Sequence, residues 1–378
     1  MKTVLVKAYT NCNLGDDLFL KIIIERYPEI TFRIIAPIAY RSNFKKYKNV
    51  VITKMPSFNL LSRVALKLIG FFSLKAKGNI ILNDLEKFYQ NEYELSDGYV
   101  YIGGSLFMQY DSEMGETDHV NKLITKVFDN KPKFIIGANF GPYLTDSYKD
   151  YYMEVFKGYT DICFRELYSK NLFKDLSNVR VCPDVVFQLG LPKVEKTKKS
   201  IGFSLIDISE REELSQYEMD YLKFVSQVIE IALQNGEDVY LFSFCKAEGD
   251  ENVISKVISL VSLNLRNRIN VVNYDGDVDK FLIQYAKVES MFCVRFHSMI
   301  LSLLLGQNLF PITYSNKMTN VLDDIGYQGV FSEFSNLKNI DALECFNDMK
   351  NSSHKVSSLI IEESKNNFIV FDEYLVNV

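Results

Sequence analysis

Residues 291–314 read MFCVRFHSMILSLLLGQNLFPITY, and this stretch decides the fold class. The apolar run Met291–Val294 predicts a buried strand, Ser298–Leu305 predicts an apolar helix, and Phe310–Tyr314 predicts a second strand. Strands that alternate with helices along a chain are typical of βαβ units, in which neighbouring strands run parallel. We therefore expect an α/β protein built on mostly parallel sheets.

The same alternation extends towards both ends, with one interruption. The other predicted strands are Val4–Tyr9, Thr31–Pro37, Val50–Thr53, Tyr99–Gly103, Phe134–Asn139, Asp161–Phe164, Ser200–Leu205, Val239–Phe244 and Ile269–Asn273. The other predicted helices are Asp17–Tyr27, Asn121–Asn130, Tyr151–Lys157, Glu212–Gln234 and Glu251–Asn264. The lysine-rich segment 190–200 interrupts the pattern and predicts a linker. We expect Rossmann-like domains at 1–190 and 200–350 that face a cleft, and a helical tail at 351–378 that crosses back over both.

Composition excludes several classes of protein. The chain has 378 residues, of which 47% are hydrophobic and 24% charged, a globular balance that excludes a disordered or collagen-like protein. The net charge of -5 argues against a nucleic-acid binder. The six cysteines show no CxxC spacing, which predicts free thiols. No apolar run reaches the ~18 residues of a membrane span, so we expect a cytoplasmic protein.

In the first domain, three predicted strands end in segments rich in glycine and polar residues. The first of these segments contains Asn13, Gly15 and Asp16, and the helix that follows would offer free N–H groups to an anion or a sugar hydroxyl. The alternative is a plain βα turn in which Asp16 or Asp17 caps the helix.

The other two segments contain Gly103-Gly104 and Asn139-Phe-Gly141, where glycines would let a ligand approach the backbone. The alternative is a simple exit from the strand. The first segment, which contains Gly15, is neither a dinucleotide-binding nor a Walker loop.

Two further strand ends in this domain carry charged residues. Arg165 follows the predicted strand Asp161–Phe164, where its guanidinium could bind a carboxylate or phosphate through two hydrogen bonds. The alternative is an ion pair with Glu166 or another acid. Asp184 lies in a Pro-Asp turn, for which a purely structural role is the simpler interpretation.

The strongest candidate site lies in the stretch quoted first. If the strand Met291–Val294 continues, Arg295 and His297 point to the same face, because side chains two residues apart in a strand do so. A fixed cation beside an imidazole is a suitable acid–base pair for an anionic substrate. Tyr314 and Lys317 follow the next strand. The alternative is a buried histidine that caps the following helix.

A basic segment stands apart from these strand ends. Between residues 30 and 83 there are ten Lys or Arg and no Asp or Glu, and residues 59–77 have an amphipathic pattern. Arg63 and Lys67 share one helical face, so the segment could lie on an anionic membrane. The alternative is a core helix with a solvated basic edge.

An ordered set of residues resembles the polysaccharide pyruvyl transferases of bacterial capsule, exopolysaccharide and cell-wall polymer synthesis. The matching residues are Asn13-Leu-Gly-Asp16, Gly103-Gly104, Gly141-Pro142, Arg165 with Ser169, Pro183-Asp184 with Phe187, Arg295-x-His297, Gly306, Pro311, Tyr314 and Lys317. In two places the chain departs from the family, with Ser105 where a third glycine is common and Glu166 where Asp is usual.

The resemblance implies a GT-B-like fold and a transfer of pyruvate from phosphoenolpyruvate onto two hydroxyls of a sugar, with no metal and no cofactor. It implies that Arg165, Arg295 and His297 handle the donor. We expect His297 to be the general acid and base, and Ser298, Tyr314 and Lys317 to bind the donor as well.

The resemblance also implies a sugar acceptor, which we expect to be lipid-linked and used at the inner face of the membrane. Asn13, Gly15, Asp16, Gly103, Gly104, Asn139, Gly141 and Asp184 are expected to line the acceptor site or its loops. Two other functions stay open at this point. One is a GT-B glycosyltransferase that uses a nucleotide sugar, and the other is a non-catalytic sugar-binding module.

Overall fold

The computed structural model describes residues 2–56, 74–352 and 354–376, which form two compact α/β units. The first unit contains Met1–Thr10, Leu20–Val185 and Lys365–Val378, and the second contains Asn11–Phe19 and Val186–Ser364. This division differs from the predicted domains in three places. Residues 11–19 belong to the second unit, the second unit continues from Val186, before the predicted linker 190–200, and the chain returns to the first unit after residue 364.

The first unit is built on a parallel sheet in the order β3-β2-β1-β4-β6-β7-β8, with β5 paired to β6 alone. Its strands are β1 Thr3–Lys7, β2 Thr31–Ile35, β3 Val50–Thr53, β4 Gly98–Ile102, β5 Ser105–Phe107, β6 Lys133–Phe140, β7 Asp161–Phe164 and β8 Val179–Val181. The helices along this part of the chain are α1 Leu14–Arg26, α2 Leu74–Glu94, α3 Glu116–Val127, α4 Asp146–Phe156 and α5 Leu167–Leu172.

Aromatic side chains fill the core of the first unit. All eight residues of β6 are buried, as expected for a strand of a parallel sheet with helices on both faces. The ring of Phe140 lies 4.8 Å from that of Phe173 and 5.5 Å from that of Tyr152, with centroids as the reference points. Edge-to-face contacts of this kind hold the carboxyl end of β6 in one position.

The second unit is built on a parallel sheet in the order β11-β10-β9-β12-β13-β14. Its strands are β9 Thr197–Ser204, β10 Asp238–Ser243, β11 Ile269–Asn273, β12 Val288–Cys293, β13 Asn308–Thr313 and β14 Ser332–Glu333. Its helices are α6 Glu218–Gln234, α7 Asp250–Leu260, α8 Val278–Ala286, α9 Phe296–Leu305, α10 Asn316–Asp324, α11 Ala342–Lys350 and α12 Ser358–Ser364. This is the doubly wound order, in which the order of the strands reverses between β9 and β12.

The tail is helical, as α12 in the second unit and α13 (Ile369–Val376) in the first. In the first unit, the ring of Phe371 lies 5.1 Å from that of Phe134 in β6. The carboxylate of Asp372 accepts a hydrogen bond of 2.6 Å from the Tyr27 hydroxyl. The end of the chain is therefore fixed by an apolar contact and a polar one.

The predicted basic segment 59–77 lies outside the described residues up to position 73, and α2 begins at Leu74. Its contact with a membrane stays a prediction. None of the helices within the described ranges is long and apolar enough to cross a membrane.

Candidate functional site

In the first unit, residues from three neighbouring strand ends form one buried cluster around Arg165. Its guanidinium donates hydrogen bonds to Asp184 Oδ2 at 3.0 Å and to Asn139 Oδ1 at 2.6 Å. The side chains of Arg165 and Asp184 are only 2% and 0% exposed. A Cβ on Gly104 would lie 2.7 Å from Arg165 Cζ, so the close approach requires glycine at this position. The ion-pair interpretation of Arg165 therefore holds, with Asp184 as the partner.

Hydrogen bonds also fix the surroundings of this cluster. Asn139 accepts from the Ser105 hydroxyl at 3.3 Å and donates to the carbonyl of Gly141 at 3.1 Å. Glu166, expected as a possible partner of Arg165, accepts instead from the Ser169 hydroxyl at 2.7 Å. Its role in this structure is to hold the loop that follows β7.

The segment that follows β1 makes its contacts within the second unit. Asn13 accepts a hydrogen bond from the Gly15 N–H and donates one to Glu248 Oε1, both at 3.0 Å. Since α1 begins at Leu14, Asn13 occupies the cap position, and the expected cap by Asp16 or Asp17 is wrong. Asp17 is fully buried and accepts from the Tyr274 hydroxyl at 2.6 Å, while Asp16 lies half-buried in the first turn.

Arg295 is held by two carboxylates of the second unit. All three of its guanidinium nitrogens bond to acids: Nε and Nη2 to Asp250, and Nη1 to Glu248. Burial alone would raise the pKa of Glu248, but Arg295 brings it below the ordinary value. Burial raises the pKa of Asp250 despite the arginine. Two acids therefore more than neutralise the positive charge of Arg295.

His297 lies on the first turn of α9, and its ring packs on α1. The ring is half-buried, and its centroid lies 5.4 Å from that of Phe19. A Cβ on Gly15 would lie 2.9 Å from His297 Cγ and Cε1, and closer still to Nδ1. Gly15 thus lets the imidazole lie directly against the backbone of α1.

The prediction that Arg295 and His297 extend the same face of a strand is wrong. The strand β12 ends at Cys293, Arg295 is the N-cap residue of α9, and the helix begins at Phe296. The helical backbone turns the two side chains towards different partners. Arg295 reaches the acids beside α7, and His297 reaches α1.

Ser298, which was expected to bind the phosphoenolpyruvate donor, instead links two helices. It is fully buried, and its hydroxyl lies 2.8 Å from the hydroxyl of Tyr285, which also bonds to Ser302 at 2.8 Å. Ser298 therefore joins α9 to α8 and does not face solvent.

Tyr314 and Lys317 meet a third residue, Arg211, that the sequence analysis missed. Lys317 Nζ lies 5.1 Å from the centroid of the Tyr314 ring and Arg211 Cζ lies 5.4 Å from it. Burial alone would raise the pKa of Tyr314, but Lys317, Arg211 and Arg295 bring it below the ordinary value for a phenol. Arg211 stands between Glu210 and Glu212 in the sequence, and these acids conceal it as a site residue.

The chemistry that these residues offer is acid–base and anion binding. Within the described ranges no cluster of His, Cys, Asp or Glu has the arrangement of a metal site. In the second unit, Arg295 and His297 follow β12 and Arg211 follows β9. These two strands flank the reversal of strand order, where open α/β sheets bind ligands.

Comparison with known proteins gives one family and one fold. The family described as polysaccharide pyruvyl transferase matches residues 13–316. No curated protein matches the chain. Two solved structures are similar across the whole chain, each with a TM-score of 0.60. The putative UDP-N-acetylglucosamine 2-epimerase of Listeria monocytogenes is 11% identical, over 100% of this chain and 97% of its own. The UDP-GlcNAc 2-epimerase of Neisseria meningitidis is 12% identical, over 100% of both chains.

A third similar structure, an Anabaena protein in complex with UDP and glucose, has a TM-score of 0.56. It is 10% identical over 100% of both chains. Identities this low show a shared fold alone. The predicted α/β class, with two Rossmann-like sheets of GT-B type, is confirmed.

Proposed function

Because the chain belongs to the polysaccharide pyruvyl transferase family, we propose that it moves the pyruvyl group of phosphoenolpyruvate onto two hydroxyls of one sugar. The product would be a cyclic ketal on a capsular or other surface polysaccharide, built on a lipid-linked acceptor. The position of His297 carries the proposal. This half-buried imidazole lies on the first turn of α9, where the strand order of the second sheet reverses.

The proposed reaction balances without a cofactor. A proton adds to C3 of phosphoenolpyruvate, which makes C2 electrophilic, and a first sugar hydroxyl bonds to C2 and loses its proton. The bond from C2 to the phosphate oxygen then breaks and phosphate leaves. The second hydroxyl bonds to C2 and closes the ring, and its proton compensates for the one that phosphate carries away. One group that gives and takes protons near neutral pH meets the catalytic requirement.

We assign that proton transfer to His297. The contacts of its ring with Gly15, Phe19 and Phe296 support this role, because they hold the imidazole in one orientation. Arg295 and Arg165 already have carboxylate partners. All three guanidinium nitrogens of Arg295 bond to these acids, so contact of Arg295 with the donor would compete with those bonds. For Arg295 we propose a positioning role at the start of α9.

The test is a reaction with phosphoenolpyruvate and a panel of pyranosyl and lipid-linked acceptors in deuterated water. We expect phosphate release and a product that gains a pyruvyl group minus water, with one deuterium in its methyl group. His297→Gln should lower the rate about 100-fold or more, which is the usual contribution of a general acid or base. His119→Gln is the matched control, because His119 is exposed.

Two results would overturn the proposal. One is a His297→Gln protein that forms the ketal at nearly the normal rate. The other is a protein that is stabilised against heat by UDP-sugars but not by phosphoenolpyruvate, which would favour a glycosyltransferase. If no acceptor in the panel gives phosphate release, a non-catalytic sugar-binding module becomes the better interpretation.

A further inference from the structure

We propose that Arg211, Lys317 and the first turn of α10 form a binding site for the phosphate group of the substrate, with the ring of Tyr314 as one wall. This inference rests on the proposed function only for the identity of the phosphate ester. Arg211 is the residue that it adds to the site.

The first support for the site is that the charge of Arg295 is already taken up by carboxylates. Both acids beside Arg295, Asp250 and Glu248, bond to its guanidinium, so these three groups together carry one net negative charge. A phosphate placed on this group alone would be repelled. The positive charge for a phosphate must therefore come from other residues.

Arg211 and Lys317 supply that charge. Both lie within 5.4 Å of the centre of the Tyr314 ring, and Lys317 also hydrogen-bonds to the Tyr314 hydroxyl. Two acids interact with Arg211 electrostatically, and both have other partners. Asp207 accepts from the Ser209 hydroxyl at 2.7 Å and lies 3.9 Å from Lys256, and Glu248 bonds to Arg295. Two cations beside one phenol form a centre suited to a doubly charged oxyanion.

The N-terminus of α10 adds hydrogen-bond donors at the same place. This helix of nine residues begins at Asn316, directly after Tyr314-Ser315. The Ser315 hydroxyl oxygen is buried, makes no cap hydrogen bond, and has no hydrogen-bond partner among the described residues. A buried hydroxyl without a partner is costly, and an oxyanion at the helix N-terminus would supply the missing acceptor.

The test measures binding of inorganic phosphate to the full chain by calorimetry, without any acceptor. Arg211→Ala should weaken phosphate binding about 10-fold or more, as expected for loss of a charge-assisted hydrogen bond. Arg211→Lys should recover part of the affinity. Arg268→Ala is the matched control, because Arg268 is an exposed arginine of the same unit. Acetate is the matched anion and should not compete.

A spectroscopic readout separates binding from folding. Arg211 and Lys317 hold the pKa of Tyr314 down, so a phosphate that neutralises them should raise it. The phenolate band that is present in the wild type and absent in Tyr314→Phe should therefore titrate at higher pH when phosphate is present.

Two outcomes would overturn the site. One is unchanged phosphate affinity in Arg211→Ala, and the other is a Tyr314 titration that ignores phosphate. If either occurs while ketal formation persists, this site fails and pyruvyl transfer stands. If phosphate binding is lost as expected but no acceptor is ever pyruvylated, the site stands and the proposed reaction fails.

Discussion

The contact between Gly15 and His297 predicts that one methyl group on α1 will disable the site. In Gly15→Ala the new Cβ would lie 2.9 Å from His297 Cγ and Cε1 and closer to Nδ1, whereas non-bonded carbon contacts need about 3.5 Å. The ring must therefore move by about 1 Å or more. A displacement of that size at a reacting group costs roughly 100-fold in rate.

The effect on stability should be much smaller than the effect on rate. Overpacking costs about 1–3 kcal/mol, but alanine in a helix is favoured over glycine by about 0.5–1 kcal/mol, so the two changes partly cancel. Gly78→Ala in α2 is the matched control, because no atom of the described residues lies within 4 Å of its new Cβ. It should leave the rate unchanged and stabilise the fold slightly.

The displacement of the His297 ring can be measured without knowledge of the acceptor. The chain has three histidines, so their imidazole proton resonances can be followed by NMR and assigned with His297→Gln and His119→Gln. Gly15→Ala should shift the His297 resonance and leave those of His119 and His354 in place. In a His297→Ala background, Gly15→Ala should no longer destabilise the protein, because the space is empty. An unshifted His297 resonance together with a normal rate would refute the reasoning.

Three further predictions follow from buried charges and thiols. Asp250→Asn should lower the free energy of unfolding in urea by about 3 kcal/mol, because buried Arg295 loses a partner, and a loss below about 1 kcal/mol would contradict this. Burial lowers the pKa of Lys7 to about 8, so the folded state binds fewer protons than the unfolded state above that pH. The contribution of Lys7 to stability should therefore rise from about pH 8 to 10.5, so the stability of the wild type relative to Lys7→Met should increase over that range. A hydrogen bond from Cys163 lowers the pKa of Cys182, whereas burial raises that of Cys163. Peptide mass spectrometry should find Cys182 alkylated before Cys163, and the reverse order would be inconsistent with these shifts.

The strand ends were predictable because burial and turn chemistry are local. The strands Val50–Thr53, Asp161–Phe164 and Ile269–Asn273 occur as predicted, since each is a short apolar run between turn residues. The short strands Ser105–Phe107 and Val179–Val181 were not predicted, because three residues carry too little pattern.

The partners of the site residues were not predictable, because they depend on pairings between distant parts of the chain. Arg295 bonds to Asp250, 45 residues away, and Asn13 bonds to Glu248, 235 residues away. Nothing in the periodicity near Arg295 shows that its charge is already matched. The same limit concealed Arg211, which meets Tyr314 only in the folded unit.

The way the chain alternates between the two units determines how the protein can be divided. A gene fragment that ends at residue 190 would encode the fully buried Leu14, Leu18 and Phe19 without the rest of the unit to which they belong. It would also lack α13, which packs on the first sheet. Module exchange between relatives should therefore move residues 11–19 with the second sheet and residues 365–376 with the first.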